Sequence, residues 1–366
     1  MKKDFLIKYI CKKDSSSLKQ KELKESGKFP VFGASGIAGY LDSYHQENTY
    51  IGIVKDGSGI GRVAFYPEKS SLIGTMQYIL PKDGFDIRYI GYCLQSLDLS
   101  KYKQGAAIPH IYFSDYGERK VKVTEDLSEQ SRIVSRLDAA YGEIEGLKAK
   151  AEAQLREART LFQAALTQEM KPKQGWEEKK LGEVTSEIGD GLHGTPKYSE
   201  NGRYYFVNGN NLENGIIEIK ENTKRVNDEE FEKYKVDLNV STVLLSINGT
   251  IGKTAFYNEE PIILGKSACY INVLSSLLKE FLRYYLLSDN FMNYARSNSR
   301  QATITNLGLK EIRNMPIPLP PLSVQQSIVS RLDALSEKVR ELEKAQKKVI
   351  AECDALKQAL LREVFE

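Results

Sequence analysis

One stretch that occurs twice constrains this chain more than any other feature. Residues 127–139, Leu-Ser-Glu-Gln-Ser-Arg-Ile-Val-Ser-Arg-Leu-Asp-Ala, recur 195 positions later as Leu-Ser-Val-Gln-Gln-Ser-Ile-Val-Ser-Arg-Leu-Asp-Ala at 322–334. The final heptamer is identical in both copies. Fainter matches follow at the same offset: Leu147/Leu342, Leu161/Leu356, Gln163/Gln358 and Ala164/Ala359. A chain repeated over this distance folds as two copies of one unit, so every later reading must hold twice.

Both copies read as long helices. In the first, Ile133, Leu137, Ala140, Ile144, Leu147, Ala151, Ala158, Leu161 and Ala165 fall alternately three and four apart, with Gln154 the polar member. The second gives Ile328, Leu332, Leu335, Val339, Leu342, Val349, Cys353, Leu356 and Leu360, with Gln346 in that role. Sustained spacing of this kind is a coiled-coil seam. No proline interrupts 127–170 or 322–366, and at the helical rise each rod is roughly 65 Å long. Pro318, Pro320 and Pro321 bar an earlier start to the second helix, and Ser323 with Gln326 has capping-box spacing.

The segments before the helices also match. Gly61-Arg62-Val63-Ala64-Phe65-Tyr66 pairs with Gly252-Lys253-Thr254-Ala255-Phe256-Tyr257, and Gly74 with Gly265. Short β-branched and aromatic runs broken by Gly and Asn (50–54, 63–66, 243–247, 262–264) predict strands of a small mixed α/β fold. One helix per half is expected, near 87–97 and 277–288. A Lys171-Pro172-Lys173-Gln174-Gly175 linker precedes the second globular region. That region has about 16 more residues between Val207 and Gly252 than the first has between Phe32 and Gly61. The surplus is placed in the charged 213–235 stretch, as a loop or strand pair.

With 41% hydrophobic and 28% charged residues, the 366-residue chain has a globular balance. Its formal charge is only +3, which excludes a bulk polycation that coats nucleic acid. Residues 1–126 carry 19 basic against 15 acidic side chains, while 171–321 balance at 19 each. The four cysteines are scattered and only His45, His110 and His193 are present, so no structural metal site is expected. The N-terminus lacks the apolar core of a signal peptide and no run spans a bilayer, so a cytoplasmic location is expected, with no membrane partner.

Catalytic motifs are missing. Gly57-Ser58-Gly59-Ile60-Gly61 resembles part of a dinucleotide loop, but a strand-like run follows it where a helix N-terminus is required. Gly252-Lys253-Thr254 ends like a Walker A loop, yet Ile247 stands where its first glycine belongs. No Asn-Pro-Pro-Tyr or Asp-Pro-Pro-Tyr run offers a flipped-base pocket, and neither His110 nor His193 has a Ser or Cys partner visible in sequence.

At this point the chain resembles a known family, the specificity (S) subunits of type I restriction-modification systems. The resemblance rests on Ile317-Pro318-Leu319-Pro320-Pro321-Leu322-Ser323-Val324-Gln325-Gln326-Ser327-Ile328-Val329, which is similar to the family's proline-rich approach to its conserved helix. Gly175-Trp176-Glu177 followed by Lys180-Leu181-Gly182-Glu183-Val184 is similar to the opening of a target recognition domain. Two departures lie in the first half. Residues 1–13 lack that Trp-containing opening, and 121–126 replace the Pro-Leu-Pro-Pro approach.

The resemblance implies an α+β architecture with internal pseudo-twofold duplication. Target recognition domains at 1–126 and 171–321 alternate with two long antiparallel coiled-coil spacer helices at 127–170 and 322–366. It implies a non-catalytic reader of double-stranded DNA, each domain recognising one half of a bipartite, asymmetric site. Two methyltransferase (M) subunits would bring S-adenosylmethionine for adenine-N6 methylation, and restriction (R) subunits would bring ATP with Mg for cleavage. The chain itself would bind no cofactor and no metal. Two other readings stand beside it: a recognition chain of a methylation-only or reorganised assembly, and a coiled-coil scaffold that never binds DNA.

Base-reading candidates lie in loops where the halves differ and donors or acceptors cluster. They are Ser35, Lys55, Ser58, Arg62, Gln104 and His110 in the first half. In the second they are His193, Asn208, Asn210, Asn211, Asn248, Lys253, Arg300, Gln301 and Asn306. Arg and Lys suit guanine; Asn and Gln suit adenine. A seam needs Ile133/Ile328 and Leu137/Leu332 alone. Identity at Val134, Ser135, Arg136 and Asp138 with Val329, Ser330, Arg331 and Asp333 exceeds that need, which marks these eight as candidates for docking two identical M subunits.

Overall fold

A computed structural model describes residues 2–105, 109–301 and 305–366. The chain forms two compact units, Met1–Glu152 with Gln346–Glu366, and Ala153–Ala345. Each unit therefore holds one globular region, the start of the long helix that follows it, and the end of the other long helix. The two helices run Leu127–Glu169 and Leu322–Phe365.

The same sheet topology appears in both units. In the first, a four-stranded antiparallel sheet has the order Cys11–Ser15, Met76–Pro81, Tyr50–Val54, Val63–Tyr66. Its counterpart is Thr185–Asp190, Ala268–Val273, Thr242–Ser246, Thr254–Phe256. A three-stranded sheet accompanies each: Gly36–Leu41, Phe29–Gly33, Ser71–Leu72 in one and Arg225–Val226, Tyr204–Val207, Ile262–Leu264 in the other. In both, the middle strand pairs parallel with the last. The Trp-less N-terminus takes the same place in its unit as the Trp-containing opening does in the other, because Lys3–Leu6 pairs with Lys120–Val123 as Glu177–Lys180 pairs with Pro316–Leu319.

Covered sheet faces explain the apolar runs. Every residue of Tyr50–Val54 is buried. Its alternating side chains divide between two cores, Ile51 and Ile53 on one side and Tyr50 and Val54 on the other. Thr242–Ser246 divides likewise, with Val243 and Leu245 opposite Leu244. The larger core of each unit is closed by helix Ile87–Gln95 or Lys279–Leu287, near the expected places. Short helices that the sequence reading passed over, Asp289–Asn298 and Leu309–Asn314 among them, add Phe291, Ala295 and Ile312 to the second core. The surplus in the second unit is a strand pair, Leu212–Glu213 with Ile216–Ile217, together with helix Asp228–Tyr234.

Long-helix ends complete these cores. Ile133 and Leu137 enter the first core with Leu361 and Phe365 from the other helix, and Phe365 lies 5.3 Å from the Tyr89 ring. Ile328 and Leu332 enter the second with Leu166 and Met170. Within the first unit Lys148 pairs with Asp354 at 2.7 Å and Lys357 with Glu145. Within the second, Arg159 meets Glu343 at 2.6 Å and Arg331 grips Glu169 through two 2.8 Å bonds. In each unit, partners advance along one helix as they retreat along the other, so the pairing is antiparallel.

The seam differs from its sequence reading. Leu147, Leu161 and Leu356 are 56%, 61% and 49% exposed, and Gln154 also faces outward. Leu137, Ile144, Ala151 and Ala158 keep the inner positions expected of them, and Tyr141, Lys148, Leu155 and Phe162 share the seam with them. The discrepancy has a physical cause: the aliphatic stems of Lys148 and Lys357 line the seam while their ammonium groups reach Asp354 and Glu145. Among the described residues, no helix is long and apolar enough to cross a membrane.

A buried glutamine fixes the start of each helix. Gln130 Oε1 accepts from the Asp86 N–H at 2.7 Å, while its Nε2 donates to the Gly84 and Thr124 carbonyls at 3.0 and 2.8 Å. Gln325 repeats this with the Leu278 N–H and the Ser276 and Pro320 carbonyls. The expected Ser323–Gln326 box gives way to this arrangement: Ser323 is already inside the helix, and the Gln325 N–H donates to the Pro321 carbonyl. Replacing Gln130 or Gln325 by Leu strands three backbone groups, and each change should cost about 2–4 kcal/mol. Urea unfolding measures this; a loss below about 1 kcal/mol would contradict the assignment.

Candidate nucleic-acid interface

Each unit gathers its polar loops beyond the hairpin of its central sheet. In the first unit, residues 55–62 link Tyr50–Val54 to Val63–Tyr66, with Gly57, Gly59 and Gly61 at φ 77°, 81° and 84°. Glycine is required twice over at position 61, since a Cβ would also lie 2.7 Å from the Ser100 nitrogen. The Arg62 guanidinium donates to the Ala34 carbonyl, beside exposed Ser35 in the neighbouring hairpin turn. Lys55 accepts at its carbonyl from the Ile111 N–H at 3.0 Å, which brings the 104–111 segment onto the loop. His110 and Gln104 exchange two backbone bonds of 2.8 Å. Gln104 Nε2 also donates to Asp115 at 2.7 Å. Ser58 is exposed at the loop tip. The structure thus joins all six first-half candidates along one loop cluster.

Two residues in this cluster were missed in the sequence. Asp56 accepts from His110 Nδ1, and the exposed Tyr112 ring lies 4.1 Å from the imidazole. Fifty-four positions separate Asp56 from His110, so no local pattern could announce the pair.

The second unit repeats the frame with other side chains. Residues 247–253 link Thr242–Ser246 to Thr254–Phe256, and the Leu307 N–H donates to the Ile247 carbonyl at 3.0 Å. Asn248 and Asn306 form an antiparallel bridge there, both half-buried. Arg300–Gln301 pairs with Thr305–Asn306 through the backbone, while the Arg300 and Gln301 side chains lie outside the described residues. Lys253 Nζ meets Glu213 at 2.6 Å in the accessory strand pair. His193 is exposed and its Nε2 bonds Asp190 at 2.7 Å. Leu192 next to it exchanges backbone bonds with Leu264 and Lys266, which joins this loop to the 208–211 turn through Ser267.

That turn requires a correction. Asn211 is buried; its Oδ1 accepts from the Asn208 N–H at 3.0 Å and its Nδ2 donates to the Glu218 carbonyl and Thr223 Oγ1. Its amide is spent on holding the turn and offers nothing to a base. Asn208 Oδ1 accepts from Ser267 Oγ at 2.9 Å, tight against Gly265, where a Cβ would stand 2.2 Å away. Only Asn210 of the three is exposed, and Lys220 holds its carbonyl at 2.8 Å.

The eight helix candidates separate in the same way. Asp138 accepts from Tyr92 at 2.5 Å and pairs with Arg88 at 2.7 Å; Asp333 accepts from Tyr284 at 2.6 Å. Burial and the adjacent carboxylate push the Tyr92 phenol up to about 12 and the Tyr284 phenol up as well. These aspartates lock each helix to its own domain, which accounts for their identity without a partner. Val134 and Val329 are half-buried against the domain cores. Ser135, Arg136, Ser330 and Arg331 remain exposed. Arg331 is bound to Glu169, whose carboxyl it holds below the usual range. Arg136 has no ion pair among the described residues.

Among the described residues no three His, Cys, Asp or Glu side chains are placed to hold a metal ion. Burial pushes the Cys11 thiol up to about 12 and raises those of Cys93 and Cys269, so these sulfurs are poor nucleophiles at neutral pH. Replacing Asn211 by Ala should cost about 1–3 kcal/mol by orphaning its buried partners, whereas Asn248→Ala should cost under about 0.5. Denaturant midpoints of the two variants check this; equal losses would reverse the distinction between turn and surface.

Comparison with known proteins adds family evidence. The type I restriction modification DNA specificity domain matches residues 3–156 and again 173–352. The MjaIX type I restriction enzyme specificity subunit of Methanocaldococcus jannaschii is 26% identical over 305 residues, which are 76% of this chain and 69% of that protein. S.HindORF215P of Haemophilus influenzae is 36% identical over 107 residues, 29% of this chain and 25% of that relative. The EcoBI specificity subunit of Escherichia coli is 25% identical over 140 residues, 38% and 29% respectively. The latter two matches thus span under a third of those relatives. A chain from a structure concerned with complex assembly and conformational transition of the type I R-M system shares the fold, with TM-score 0.73, 19% identity and coverage of 99% of this chain and 97% of that one.

Proposed function

The chain belongs to the type I restriction modification DNA specificity family, and from that membership we propose that it reads double-stranded DNA for a type I restriction-modification complex. The observation that carries this reading is one frame built twice with different loops. Both units keep the same strand order and the same backbone bonds at the central hairpin. Their loop side chains differ: Asp56 and His110 in one, Asn248 and Asn306 in the other. A repeated frame with divergent polar edges suits two unlike half-sites read by one chain. The proposal includes a bipartite, asymmetric site, with residues 1–126 and 171–321 as the two reading domains and 127–170 and 322–366 as the spacer helices.

The chain is the non-catalytic member of its system. In the proposed complex two M subunits supply S-adenosylmethionine and methylate adenine N6, and R subunits supply ATP-dependent cleavage with Mg. The proposed location is the cytoplasm. Phosphate contacts fix register and carry affinity, while base edges carry sequence. A chain of net charge +3 would leave part of the clamping to its partners.

For M-subunit docking, Ser135 with Arg136 and Ser330 with Arg331 are exposed residues of the repeated heptamer. Arg136→Glu with Arg331→Glu should abolish co-purification with the M subunit while circular dichroism stays unchanged. Glu169→Gln controls for the lost Arg331–Glu169 pair, and undiminished co-purification of the double variant would end the docking assignment. Genome-wide N6-methyladenine mapping tests the function itself. One split motif should vanish when this chain is deleted; methylation that is the same with and without it would refute the reading.

A further inference from the structure

The two loop clusters contain one position that is equivalent in backbone and different in chemistry. The Ile111 N–H donates to the Lys55 carbonyl at 3.0 Å, and the Leu307 N–H donates to the Ile247 carbonyl at 3.0 Å. On the other side, the Lys55 N–H reaches Thr75 and the Ile247 N–H reaches Ser267, again at 3.0 Å each. Ile111 and Leu307 are both fully buried. Between these shared anchors lie two isolated antiparallel bridges, Asp56 with His110 and Asn248 with Asn306. The scaffold around the position is duplicated; only the side chains it presents have changed.

Among the described residues, neither pair makes a side-chain hydrogen bond to the rest of the fold. The Asn248 and Asn306 carboxamides make no hydrogen bond among the described residues and are half-buried, in contrast to Asn211. A carboxamide presents a donor and an acceptor together, which matches N6 and N7 of adenine. In the first unit, ionised Asp56 can only accept, so His110 must donate from Nδ1. A neutral imidazole held that way presents Nε2 as an acceptor. An acceptor at that point suits an exocyclic amino group, as on cytosine N4 or adenine N6, and is poorly matched to the O6 and N7 of guanine. Tyr112 at 4.1 Å flanks the ring.

We propose that this duplicated bridge is a specificity-determining position in each half, taking adenine at Asn248–Asn306 and a base with an exocyclic amine at Asp56–His110. Asp56 acts there as a positioning residue, through His110. The inference rests on the DNA-reading function proposed above.

The test maps N6-methyladenine in cells carrying the complete system with wild-type chain, with Asp56→Asn plus His110→Asn, or with Asn248→Asp plus Asn306→His. Each double variant should alter base preference in one half of the split motif, a different half for each, and leave the other half and the spacer unchanged. His110→Gln, which can still accept, should keep the first half-site better than His110→Leu by at least about fivefold, roughly the lower bound for one good base contact. Where a folded variant yields no methylation, selection from a randomised duplex pool by the purified complex reads its bound motif directly. A motif unchanged in both variants, or altered in both halves by one pair, overturns the inference while the DNA-reading function stands. A wild-type chain on which no split motif depends removes that function itself.

Discussion

The structure depends first on a buried glutamine at the mouth of each long helix. Gln130 and Gln325 satisfy one backbone donor and two backbone acceptors apiece. Each joins the segment leading to the domain's own helix with the turn that launches the long one. Unpaired groups buried there would be expensive. One side chain therefore sets where the rod begins, and Tyr92–Asp138 or Tyr284–Asp333 sets its rotation about two turns later. Each rod takes its start and its rotation from its own globular region by hydrogen bonding.

The ends of the rods complete the cores of the units they lie in. Leu361 and Phe365 complete the core of the first unit, and Leu166 and Met170 that of the second. Each globular region therefore needs the far end of the other region's helix to close its apolar face. The two rods are close to the same length, 43 and 44 residues. The charged seam residues have a purpose as well. Lys148 with Asp354 and Arg159 with Glu343 add register to a stripe in which alanine leaves little apolar area to bury.

Against that fixed frame the loops are free to differ. The central strands are buried on both faces, so their sequence is held by packing, while the hairpin loops meet no such demand. Arg62 and Lys253 occupy matching places but reach different neighbours, the Ala34 carbonyl and Glu213. The accessory strand pair in the second unit supplies that Glu213. At the central hairpins, divergence falls on side chains whose backbone is held by shared bonds, and the backbone itself differs at the accessory strand pair and at helix Asp228–Tyr234.

The sequence by itself determined the duplication, the two rods, the strands at 50–54 and 63–66, and the family, because periodicity and repetition are local records of packing. It misassigned what depends on a third dimension. Leu147, Leu161 and Leu356 have the right spacing for a seam, yet Lys148 and Lys357 lie within it, since a long aliphatic stem can fill a seam and still place its charge in water. Asn211 has the composition of a reading loop and is buried as a strut. The repeated Asp138 and Asp333 stand out in the sequence for their identity, and the structure adds that each is bonded by a tyrosine of its own domain, Tyr92 or Tyr284. Whether a polar side chain faces its own fold or the solvent is decided by residues distant in the chain, as Asp56 is from His110, and only tertiary structure brings those residues together.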